Sequence, residues 1–192
     1  MSTALTPRRR TLPNGVWAIL LVIATEGAFL GCLIASYLYL ATRVPEWPPA
    51  GVPEPRVLAP VLLTALLVAT TLPLLAASLL ARRGAVRGAW VLVFSALVLQ
   101  AGYLAAQIWL FQDDLSMFSP SGSAYGSAYF TLLGAHHAHV LVGLLLDLWL
   151  LIRLLGGLTA YRANALRVIT WYWVFVAGIG VFVTLTVISP AL

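Results

Sequence analysis

Residues 17–40 read WAILLVIATEGAFLGCLIASYLYL, 24 positions with a single charged residue, Glu26. A helix of that length rises about 36 Å, more than the ~30 Å hydrocarbon core of a bilayer. Its apolar residues fall on every side, so the whole surface is suited to lipid rather than one face to a soluble core. Arg8, Arg9 and Arg10 precede it. A signal-peptide apolar region runs to about 7–15 residues, and this stretch is longer and carries an acid near its middle. It is expected to be a retained first membrane helix.

Four further runs follow: approximately Val57–Leu80, Ala89–Phe111, Ser127–Leu155 and Leu166–Ser189, after a first that extends over Val16–Ala41. Between them lie a proline-rich segment (RVPEWPPAGVPEPR, 43–56), an arginine-glycine turn around Arg82–Gly88, QDDLSMFSPSGSAYG (112–126) and a short link at 156–165. The fold class expected is all-α, one integral-membrane domain over 1–192 with five transmembrane helices. Composition agrees: 61% of the 192 residues are hydrophobic and 9% charged, against the roughly 25% charge that covers a soluble domain. Pro60 and Pro73 should bend or break the second helix.

The eleven basic residues are all arginine, and their placement gives a direction. With alternating loops, one side receives Arg8, Arg9, Arg10, Arg82, Arg83, Arg87, Arg153, Arg162 and Arg167. The other receives Arg43 and Arg56 with Glu46, Glu54, Asp113 and Asp114. The positive-inside rule then predicts N-in and C-out. Spread between apolar runs, the arginines form no patch for nucleic acid. Trp17, Trp47, Trp90, Trp109 and Trp171 fall near span ends, as an aromatic belt would place them.

The polar residues inside the spans carry the functional reading. An acid at mid-bilayer costs about 2.5–3.5 kcal/mol and normally faces protein or water with a partner. Glu26 shares a helical face with Phe29, Leu33 and Tyr37 by spacing. GAHHAHVLVG (134–143) holds all three histidines; His136 and His139 share a face and His137 points elsewhere. Three imidazoles on one helix cannot converge on one ion, and Cys32 is the only cysteine, so no metal site is expected. His136 or His139 pairing with Glu26 would relieve the cost of both groups. Asp147 is expected to pair with another helix or with a partner subunit.

These residues carry a resemblance. The first span is similar to the opening conserved segment of subunit III of haem–copper cytochrome c oxidases, on Trp17, Glu26, Phe29 and Tyr37. The fourth resembles that family's G-x-H-x-x-H-V-x-x-G segment, on Gly134, His136, His139, Val140 and Gly143. The last resembles its W-Y-W segment, on Trp171, Tyr172, Trp173, Phe175 and Val176. Five spans fit the short bacterial form, which lacks the first two of the seven helices of longer relatives. Val174 and Ala177 stand where the family usually has His and Asp, which removes the polar network of the last helix.

The resemblance implies a non-catalytic subunit of a terminal oxidase in the bacterial plasma membrane, with no catalytic residue, haem or copper of its own. The redox centres would belong to subunits I and II, fed by a cytochrome c or quinol-oxidising partner. Subunit III of such complexes stabilises subunit I, holds phospholipid and supports proton uptake. Glu26, His136 and His139 would form its buried polar network, and Arg82, Arg83 and Arg87 are candidates for lipid headgroups. A relative associated with nitric oxide reductase, and a small proton-coupled transporter, are the alternatives.

Overall fold

In lipid a backbone must satisfy its own N–H and C=O groups, so each apolar run has to be helical. The computed structural model describes residues 14–191, among which there is no strand. Its elements are α1 (Asn14–Ala41), α2 (Leu58–Ala69), α3 (Thr71–Arg82), α4 (Val86–Met117), α5 (Ala124–Leu155) and α6 (Ala160–Ile188), with a closing 3₁₀ turn at Ser189–Ala191. Together α2 and α3 make one span, so five stretches are long and apolar enough to cross a membrane. Arg8, Arg9 and Arg10 lie outside the described residues.

The second span breaks at Thr70, one turn before Pro73. Pro73 has no N–H for the carbonyl four residues back, and its ring crowds that carbonyl. Pro60, by contrast, lies in the first turn of α2, where its missing donor would have had no helical partner. The turn from α3 to α4 takes three residues, 83–85, with Gly84 at φ 78°, a conformation that residues bearing a Cβ rarely adopt.

Helices α4, α5 and α6 outlast their apolar runs. The α4 helix continues past Phe111 to Met117, because Asp113 and Asp114 there are paired rather than free. The α5 helix begins at Ala124, where the Ser123 hydroxyl accepts from Gly126 N at 3.0 Å. The α6 helix begins at Ala160, where Thr159 accepts from Arg162 N at 3.3 Å. Both are N-caps that satisfy otherwise orphaned donors.

The bundle is organised around α6, which packs on α1, α2, α3 and α5. In its most apolar window 44% of residues are buried, against 11% for α1. Much of α1 therefore faces outward. The buried positions of α1 are Val16, Ile19, Leu30 and Tyr37. Phe29 does not join them and is 48% exposed. At about 100° per residue the buried line runs closer to Leu30 than to Phe29, so the face grouping Glu26 with Phe29 needs correction.

Trp47 folds inward at the end of α1 and the start of α5, its ring centroid 5.1 Å from Tyr37 and 5.0 Å from Tyr125, both edge-on. Tyr125 and Tyr129 continue this aromatic cluster to Phe118 and Phe130. The proline-rich segment is thereby held against the bundle. Its far end is held as well, because Arg56 pairs with Asp113 and approaches Asp114 at 3.9 Å. Asp113 holds the Arg56 guanidinium above its ordinary pKa, so Arg56 stays charged.

Candidate functional site

Glu26 Oε2 lies 3.0 Å from His139 Nε2, joining α1 to α5. The other ring nitrogen, His139 Nδ1, is 2.7 Å from the carbonyl of Ala135. A carbonyl only accepts, so Nδ1 carries hydrogen and donates. Two arrangements then satisfy the contact with Glu26. Either a protonated Glu26 donates to Nε2, or an imidazolium donates to the carboxylate. In both, one proton is shared and the pair is neutral as a unit, which is what a low-dielectric setting requires. The Glu26 side chain is 38% exposed, so the pair lies at the edge of the bundle and opens onto its surface.

His136 takes a different course. It is 2% exposed, and its Nε2 lies 3.2 Å from the Tyr103 hydroxyl, to which Gln107 donates at 3.3 Å. His137 is buried edge-on against Phe111, with ring centroids 5.5 Å apart. Its Nε2 has no partner. The three imidazoles thus serve three separate contacts. Among the described residues no group of three or more His, Cys, Asp or Glu is arranged to hold a metal ion.

Asp147 is fully buried. With the Gln100 amide oriented so that donors meet acceptors, its nitrogen donates to Asp147 Oδ2 at 2.8 Å and to the Ala96 carbonyl at 3.2 Å. The partner of Asp147 is thus helix α4 of the same chain. Gln100, Tyr103 and Gln107 were not singled out from the sequence. Their signal was there: three polar groups at spacings of three and four within an apolar run, which puts them on one face of α4.

The last span closes the arrangement. The Tyr172 hydroxyl donates to the His139 carbonyl at 2.8 Å. Trp173 is fully buried against α5, so close that a Cβ at Gly143 would stand 2.5 Å from its ring. A Cβ at Gly180 would come within 2.9 Å of His136. Two glycines thus let α5 and α6 approach each other around aromatic and imidazole rings. Val174 is 46% exposed and faces away from this interior. The valine therefore takes nothing from the buried network. Ala177 is buried in the hydrophobic core of the bundle, 3% exposed.

Of the three candidate headgroup arginines, Arg82 lines a groove between α3 and α6, whereas Arg83 and Arg87 do not. Arg162 is committed to its own loop, donating to the carbonyls of Gly156 at 2.5 Å and Gly157 at 2.6 Å.

The described residues form a five-span helical bundle whose buried polar groups tie helix to helix, the make-up of a multi-pass membrane protein. Residues 10–189 match the family described as cytochrome c oxidase subunit III, and the chain belongs to that family. A probable cytochrome c oxidase subunit 3 of Nocardia farcinica is 31% identical over 95% of this chain and 94% of its own length. The cytochrome c oxidase subunit 3 of Bacillus subtilis is 38% identical over 45% of this chain and 44% of the relative. A quinol oxidase subunit 3 of Bacillus spizizenii is 31% identical over 53% of this chain and 51% of the relative.

Proposed function

We propose that this chain is the non-catalytic third subunit of a bacterial haem–copper terminal oxidase. It lies in the plasma membrane with its amino terminus inside, as the arginine distribution favours. It packs against subunits I and II, which hold the haem and copper and reduce O₂ while moving protons. Its role is to stabilise subunit I, retain phospholipid and support proton uptake. The observation that carries this reading is the family match across nearly the whole chain, joined to a Glu26–His139 contact between the first and fourth spans. That the relatives above are oxidase subunits favours this over a nitric oxide reductase partner or a transporter.

The neutral, proton-sharing pair suits a supporting role. It ties α1 to the bundle without a net charge, and it needs no redox centre beside it. The test is removal of the chain from the assembled oxidase. The remaining complex should keep its haem spectrum and initial turnover, and should lose activity faster during sustained turnover. Unchanged turnover lifetime would contradict the role assigned here.

A further inference from the structure

Two small cavities adjoin on the arginine-poor side of the bundle. The outer one, of about 80 Å³, lies between residues 53–56 of the proline-rich segment and the end of α4. The inner one, of about 30 Å³, lies between α2, α4, α5 and α6. Arg56, Asp114 and Tyr129 line both, so these three side chains stand where the cavities meet. Gln107 and Asp114 on α4, and Tyr129 and His137 on α5, are each about two turns apart, so each pair shares a face. The inner cavity thus reaches His137, about 12 Å along α5 from Tyr129.

Its walls are polar at membrane depth. His137 is 9% exposed, and its Nε2 has no hydrogen-bond partner among the described residues. Gln107 lines the same cavity and donates to the Tyr103 hydroxyl, which meets His136 Nε2 at 3.2 Å. Thr184 adds a hydroxyl from α6, 2.6 Å from that of Thr64. A buried water needs roughly 10–15 Å³ and two to four polar partners, so the volume suits about two waters. An apolar guest would leave the His137 nitrogen unmatched, and the charges at the junction already meet each other. There Tyr129 donates to Asp114 at 2.6 Å, and Arg56 pairs with Asp113. The Arg56 and Asp113 side chains are 38% and 43% exposed, so an ion pair in reach of water closes the junction.

We propose that the inner cavity is a water site that hydrates His137 from the arginine-poor face, by way of the Arg56–Asp113 pair. One water bonds His137 Nε2, accepting from it or donating to it according to which ring nitrogen carries the hydrogen. A second links that water to Gln107 and Asp114. The ring hydrogen of His137 therefore exchanges with the water of that face. His139 is different, since both its nitrogens are spent on Glu26 and the Ala135 carbonyl. The inference adds a site to the proposed function and draws on no property of the redox partners.

The test uses the full chain with nitrogen-labelled histidine in phosphatidylcholine vesicles. Solid-state NMR reads magnetisation transfer from water to the three rings, and His137→Phe identifies the His137 signal by its loss. Transfer to His137 should be roughly threefold faster than to His139. Leu133→Phe, which fills the cavity, should abolish that advantage. Asp113→Asn, which frees Arg56, should speed transfer to His137 about two- to fivefold, the factor by which an exposed ion pair holds a contact closed. That variant changes an exposed residue, so it decides the matter even if Leu133→Phe does not fold. No faster transfer to His137 than to His139 would overturn the proposal, as would xenon entering a dry cavity. A rate that Asp113→Asn leaves unmoved would place the entry elsewhere and contradict the route. No haem-bearing partner takes part, so failure here is distinguishable from failure of the oxidase assignment.

Discussion

Glu26 and His139 share one proton, and substitutions separate what the contact does from what the residues are. In Glu26→Gln the amide can still donate to His139 Nε2, so the helix contact survives and the mobile proton is lost. Thermal stability of the chain should change little. In Glu26→Leu the imidazole loses its partner, and the cost should be about 1–3 kcal/mol. Melting followed by size-exclusion fluorescence measures both; equal stability of the two variants would show that the contact holds nothing together. Ala177 offers a second residue-scale check. The apolar surroundings in this chain predict that Ala177→Asp, which restores the family's usual acid, costs about 2.5–3.5 kcal/mol. Tolerance of that acid would reveal a partner for it.

At the scale of elements, α5 and α6 meet through a glycine and a tryptophan. Gly143→Ala forces a methyl into the Trp173 ring and should destabilise by about 1–3 kcal/mol. Trp173→Phe in the same chain should recover part of that loss, because the collision is with the ring's far edge; failure to recover would place the strain elsewhere. The break between α2 and α3 has a different cause. Pro73→Ala restores the missing N–H, so α2 and α3 should join into a straighter span. Spin labels at the exposed Leu58 and Leu79 should then move apart, as pulsed distance measurements would read. An unchanged distance would mean that packing on α4 and α6, rather than proline, sets the bend.

Across the whole molecule, the crossings were legible because the bilayer imposes a length and a polarity that a single sequence displays. The break at Pro73 was legible for the same kind of reason, a local steric rule. Span ends were less so: the acids of α4 look like a loop until Arg56 and Tyr129 are seen to pair with them. Which histidine meets Glu26 also lay beyond spacing, since His136 and His139 share a face and only the packing of α1 and α4 divides them. Asp147 and His137 were visible as polar residues, but their surroundings come from helices distant in sequence.

The account turns on this chain being an accessory subunit beside a redox partner, with no redox chemistry of its own. The most direct measurement is to tag the chain, express it with its neighbouring genes, and extract the membrane in mild detergent. The purified material should contain a large haem-bearing subunit in a fixed ratio to the tagged chain, with a reduced-minus-oxidised haem spectrum that Glu26→Gln leaves unchanged. Recovery of the tagged chain as a stable, haem-free monomer would contradict the account.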